Sequence, residues 1–246
     1  MKPVIHMHVP KTGGTYINHV FTQALGAERS ACHIAYDLAL GEELALGRVY
    51  FSSHLPLLDF LHRLPGDRQD FFVVGSFRHP VKQLASHIHW LDHFTQPGYE
   101  DELCALPTHI RQEILSISQV DFADPKSLES YLGSLSPVGI SLFDNVQTRY
   151  LARSIDKDFY SFLQTPDLDE AIHNASLLNF VLFQESLDGD VIRLAEILDI
   201  SISTAHPQNV SKNARRLDTE NPDIVTVLEE RLEFDLSLYG FLTGQK

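Results

Sequence analysis

Hydrophobic and polar positions alternate between two periods along this chain, and the switches mark its elements. Val4 to Val9 is an apolar, strand-like run that ends at Pro10-Lys11-Thr12-Gly13-Gly14-Thr15, after which Ile17, Val20, Phe21, Ala24 and Leu25 recur at helical spacing up to Gly26, a natural stop. Arg48 to Ser53 reads as a second strand ending at His54, and Pro56 to Leu64 as a helix with proline early. Asp70 to Phe77 is a continuous apolar run of the kind that parallel sheets bury, and it stops at Arg78-His79-Pro80. The helix that follows carries Val81, Leu84, Ala85, Ile88 and Leu91 on one face and Lys82, Ser86, His89 and His93 on another.

Thr95 to about Pro107 turns polar and irregular, which reads as a surface excursion. Helical segments follow near 108–118, 126–134 and 142–153. Asn179 to Gln184 reads as a central strand, Asp190 to Leu198 as a helix, 201–219 as a polar loop and 221–239 as helical. Strands separated by helices predict an α/β fold: one domain over 1–246, with an open, mainly parallel sheet, helices on both faces and ligands at the carboxyl ends of the strands. Residues 95–140 read as a helical and loop excursion that contributes to one side of the ligand site. No internal repeat is present.

Composition narrows the partners. Hydrophobic residues at 43% and charged residues at 21% are ordinary for a globular protein, and a net charge of −14 argues against coating nucleic acid or anionic membrane. Any anion site must therefore be local. Cys32 and Cys104 have no framework or metal-pair spacing, so they read as buried thiols in a reducing, cytoplasmic setting. The chain carries neither a leader-like segment nor a run of 18 apolar residues, which reads as a soluble protein.

The stretch Pro10 to Thr15 reads as a phosphate-binding loop. Its adjacent glycines allow backbone N–H groups to converge on an anion at a helix N-terminus, Lys11 adds a mobile cation, and Thr12 and Thr15 add hydroxyls. The same residues would also serve as a plain strand–turn–helix corner. In a parallel sheet the ends of three strands bring Lys11, His54 and Arg78 to one cleft. Arg78 and Ser86, eight residues apart, could grip one phosphate from two sides, or Arg78 could be a surface ion pair and Ser86 an ordinary helical serine. The 13 histidines form no metal-ligand set with acidic partners, and His6 and His8 read as core or loop supports.

The pair HVPKTGGT (His8 to Thr15) and FRHPVKQLAS (Phe77 to Ser86) resembles the two nucleotide-binding signatures of the sulfotransferases that use 3′-phosphoadenosine 5′-phosphosulfate (PAPS), in the carbohydrate-type branch that includes the heparan sulfate 2-O- and 6-O-sulfotransferases. The resemblance assigns Pro10, Lys11, Thr12, Gly13, Gly14 and Thr15 to the 5′-phosphosulfate, and Arg78 and Ser86 to the 3′-phosphate. Ser53 to Phe60 is similar to the segment that bears the base in the uronyl 2-O-sulfotransferases, and Asp144 to Leu151 to a helix common in the branch. The loop with Ser211, Lys212 and Arg215 falls where the family closes over the nucleotide. The chain departs from many members at His79 and Gln83, where an acidic residue and a second arginine stand; these read as variation at the rim.

In-line sulfonate transfer needs bound anionic charge, a stabilised leaving phosphate and one proton taken from the acceptor. Lys11 is the candidate for the leaving-group charge and His54 for the general base, since a neutral imidazole is available near pH 7. The resemblance implies PAPS as co-substrate, 3′-phosphoadenosine 5′-phosphate (PAP) as product, and no metal requirement. His89 and His93 are candidates for the acceptor side, and Trp90 and Tyr99 could stack on a sugar or aromatic acceptor. The resemblance implies a glycan hydroxyl as acceptor, and the acidic balance of the chain leaves a small-molecule hydroxyl equally open. The rival readings are a kinase-like nucleotide-dependent phosphotransferase, against which the lysine preceding the glycines counts, and a catalytically inactive PAP-binding protein.

Overall fold

A computed structural model describes residues 1–34, 40–203 and 217–244. Five strands, β1 (Val4–His8), β2 (Ser30–Cys32), β3 (Tyr50–Ser53), β4 (Phe72–Phe77) and β5 (Phe180–Phe183), form one sheet in the order β2-β3-β1-β4-β5. Every pairing is parallel, with Ile5 opposite Phe51 on one side and Val73 on the other. The fold class read from the pattern is the one observed. Helices of this open α/β sheet are α1 (Gly14–Leu25), α2 (Leu40–Ala45), α3 (Leu57–His62), α4 (Pro80–Asp92), α5 (Glu100–Ala105), α6 (Thr108–Ile117), α7 (Pro125–Gly133), α8 (Pro137–Phe143), α9 (Val146–Ala152), α10 (Thr165–Ala175), α11 (Leu187–Leu198), α12 (Pro222–Arg231) and α13 (Glu233–Thr243).

Strand alternation divides the core. Val4, Val74 and Leu182 meet Ile17, Val20 and Phe21 of α1 and Val191 and Leu194 of α11, while Ile5, Met7, Phe51 and Val73 share a cluster with Phe60 of α3, Leu151 of α9, Ala171 of α10 and Leu238 of α13. A third cluster joins α4 to α6, α7 and α12 through Leu84, Ile88, Ile114, Leu128 and Leu228, so the expected apolar face of α4 is buried as read. No described helix is long and apolar enough to cross a membrane.

The structure revises several boundaries. The excursion after Thr95 contains α5, on which Cys104 is exposed rather than buried. The continuous helix expected over 142–153 is instead α8 and α9, broken at Asn145, whose φ is +46°. There the Asn145 Oδ1 accepts from the backbone N–H groups of Phe234 and Asp235, and the Asp235 carboxylate accepts from those of Gln147 and Thr148. The N-termini of α9 and α13 thus cap one another, which periodicity alone cannot reveal. For the same reason the helical stretch over 221–239 divides at Leu232.

The chain leaves β1 for the sheet edge at β2, returns beside β1 as β3, and crosses to the other side as β4 and β5. β1 therefore sits at the point where the connections diverge, and the loops after β3, β1 and β4 open at one end of the sheet, the usual crevice for ligands.

Candidate active site

Lys11, His54 and Arg78 follow the carboxyl ends of the three adjacent central strands β1, β3 and β4. The loop Pro10–Gly13 is held from beneath. Gln83 Nε2 donates to the Pro10 carbonyl at 2.9 Å, and Arg78 Nη1 to the Lys11 carbonyl at 3.2 Å. These bonds fix Lys11 in a left-handed conformation, φ +69°, which costs a residue with a side chain on the order of 1–3 kcal/mol and persists where the surroundings over-determine it. Gln83 is fully buried, so it is a support of the loop and not variation at the rim.

The two glycines have separate reasons. Gly13 has φ +92°, and a Cβ on it would lie 2.6 Å from Leu187; a Cβ on Gly14 would lie 2.0 Å from the His8 ring. The pair thus gives the loop its turn and gives His8 its place against α1. No side chain caps α1 and no acidic residue lies in its first turn, so its positive end stays open toward the cleft. The two threonines diverge. Thr15 is exposed at that helix start, whereas the Thr12 hydroxyl is buried, donating to the Val9 carbonyl and 2.8 Å from Ser76 Oγ. Thr12 therefore ties the loop to β4 and does not present its hydroxyl to a ligand.

Arg78 is positioned through its main chain: Gln147 Oε1 accepts from its N–H at 2.9 Å and Gln147 Nε2 donates to its carbonyl at 2.8 Å. Its Nε is buried with no hydrogen-bond partner among the described residues. Among the described residues no acid forms an ion pair with Arg78 or Lys11; Glu185 instead accepts from the His79 backbone and from Tyr239. Burial, and then the charge of Arg78, hold the Lys11 ammonium below its usual value. Ser86 lies on the second turn of α4, half-buried and without a hydrogen bond to another described residue. Ser211, Lys212 and Arg215 lie outside the described residues.

His54 is exposed, yet the protein packed behind it desolvates the ring enough to lower its pKa, with a hydrogen bond to His8 opposing and the charges of His33 and Lys11 adding. Its Nδ1 lies 2.7 Å from the His8 carbonyl, an acceptor only, so Nδ1 carries the proton and Nε2 holds the free lone pair. His54 opens onto a cleft of about 260 Å³ lined with His33, Ile34, Ser53, Leu55 and Ile155. His89 and His93 do not line it. His89 Nε2 accepts from the Leu217 backbone N–H, and His93 stacks among Phe94, Tyr99 and Trp90, whose ring lies 5.5 Å from Lys11 Nζ.

His6 is a core histidine as read, hydrogen-bonded to Tyr50 and Ser76 and lowered to about 3 by burial. His8 is more than a support. The fold brings it together with His33 and His54, and one ring nitrogen from each lies within 4.8 Å of the others. His33 escaped the sequence reading because it follows β2, a strand of three residues with too little pattern to register. Gln83 and Gln147 escaped because an amide that serves a backbone in another element leaves no local signal. No protein-family model matches the chain, and no curated protein matches it.

Proposed function

We propose that this chain is a sulfotransferase that moves a sulfonate from PAPS to an acceptor hydroxyl. The observation that carries the reading is the convergence of Lys11, Arg78 and His54 at three neighbouring strand ends beside the uncapped start of α1, where among the described residues neither Lys11 nor Arg78 forms an ion pair with an acid, in a chain of net charge −14. Such a nest favours an anion locally while the rest of the surface repels one.

In this reading the acceptor O–H gives its proton to His54 Nε2, the acceptor oxygen forms a bond to sulfur, and the bond from sulfur to the phosphate oxygen breaks. The electron pair leaves on the phosphate of PAP, where Lys11 and the backbone N–H groups at the start of α1 stabilise it. Arg78, with an Nε to spare, and Ser86 bind the 3′-phosphate. The cleft beside His54 is smaller than the ~300–1,000 Å³ usual for a small-molecule pocket, so it takes the reacting end of a glycan or of a small molecule.

Lys11→Ala and His54→Ala should each lower kcat for sulfonate transfer by at least about a hundredfold, the scale of one electrostatic or general-base contribution, with the unfolding midpoint nearly unchanged. Transfer from ATP with magnesium, and none from PAPS, would replace this reading with a phosphotransferase. Tight PAP binding without transfer to any hydroxyl acceptor would replace it with a nucleotide-binding protein.

A further inference from the structure

The imidazoles of His8, His33 and His54 occupy the ends of β1, β2 and β3, strands that lie side by side in the order β2-β3-β1. Ring centroids are 4.2 Å apart for His8 and His54, 5.8 Å for His33 and His54, and 6.1 Å for His8 and His33. We propose that these three histidines form a binding site for a divalent transition-metal ion of the zinc type, open to solvent on the side of the cleft.

Neutral nitrogen donors without carboxylates suit zinc, copper, nickel or cobalt far better than magnesium or calcium. Three ring nitrogens within 4.8 Å of one another already approach the roughly 3.4 Å that separates two nitrogens on one tetrahedral zinc, given Zn–N bonds near 2.0–2.1 Å. The remaining closure falls on His33 and His54, which are exposed, whereas His8 is buried and fixed against Gly14. One ring has an outer partner of the kind that orients a metal ligand: His54 Nδ1 donates to the His8 carbonyl, which leaves Nε2 for the ion. The Asn18 side-chain N–H lies 3.4 Å from His33 Nε2, a long contact that a metal-bound His33 would give up. His8 Nδ1 is buried without a hydrogen-bond partner among the described residues, so this ring has unspent bonding capacity. His33 has φ +55°, a left-handed conformation uncommon for a residue with a side chain, and it carries the ring toward the same cleft. With three protein ligands, the fourth position faces the cleft and is left to water, as in zinc sites that are not purely structural.

An ion held there occupies the His54 Nε2 lone pair. On the sulfotransferase reading, which this consequence alone requires, the metal is an inhibitor that competes with proton removal from the acceptor.

The test is titration of the full chain with Zn²⁺ by calorimetry and with Co²⁺ by its visible absorption, alongside His33→Ala and an exposed control histidine outside the cluster, His62→Ala. One ion per chain with a Kd in the micromolar range or tighter, tetrahedral cobalt bands, at least tenfold weaker binding in His33→Ala and none of that loss in His62→Ala are expected. Absence of cobalt bands and of binding heat at 100 µM metal overturns the site, as does binding that His33→Ala leaves unchanged. Circular dichroism of His33→Ala guards against a folding defect, and if that variant is unfolded, His54→Ala serves in its place. Zinc inhibition that His33→Ala relieves tests the consequence. Metal binding without any sulfonate transfer would leave the site standing and remove the enzymatic reading.

Discussion

A buried histidine on α4 makes the fold's pH response calculable. His87 is nearly inaccessible, packed at 5.7 Å between ring centroids against Phe143, with its Nδ1 unpartnered. Burial first, then the charges of Lys11 and His54, lower its pKa to about 3, while a hydrogen bond to the Leu142 backbone opposes them. The unfolded chain protonates this group near 6.5 and the folded chain does not. A base depressed on folding contributes stability that is complete above 6.5 and is lost as pH falls from there toward 3. Between those values the loss runs at about 1.4 kcal/mol per pH unit, and from pH 8 to pH 5 it amounts to about 2 kcal/mol from this one residue. Urea unfolding at pH 8, 7, 6 and 5 of the parent chain and of His87→Gln isolates the term, because every other titrating group cancels in the difference. Whatever the absolute stability of His87→Gln, relative to it the parent should lose about 2 kcal/mol by pH 5, and His87→Phe should report the same slope with a different offset. A difference that stays flat within about 0.5 kcal/mol across that range would show that His87 is protonated in the folded protein and would refute the reasoning.

Further outcomes follow from the site. For sulfonate transfer, the acid limb of kcat/KM should have its midpoint below 6.5 because His54 is lowered, and the alkaline limb below 10.5 because Lys11 is lowered; an acid limb above 6.5 would remove His54 as the base. Gln83→Leu takes the donor from the carbonyl of half-buried Pro10, which should appear as several-fold weaker PAP binding in calorimetry, and unchanged affinity would show that the loop holds its shape without Gln83. Gln147→Ala releases the main chain of Arg78 and should weaken PAP binding in the same way, whereas Gln147→Glu, which keeps the acceptor for the Arg78 N–H, should recover part of the loss.

The sequence by itself determined the parallel sheet, the main strands and the residues at their ends. A buried parallel strand must be mostly apolar and must stop where the chain turns back, so Val4 to His8, Phe72 to Phe77 and the positions of Lys11, His54 and Arg78 were legible in local pattern. Resemblance to sulfotransferase signatures then supplied roles, and those roles remain proposals. What only the tertiary structure decided is which side chains serve the protein and which face the cleft. Thr12 turns inward because Ser76 on the neighbouring strand is within hydrogen-bonding distance, Gly14 is small because the His8 ring lies over it, and Gln83 is buried because the Pro10 carbonyl needs a donor. His33 joins His8 and His54 only because three strands far apart in sequence lie side by side at one end of the sheet. Each of these depends on long-range pairing, and a side chain's partner across a sheet leaves no trace in the residues beside it.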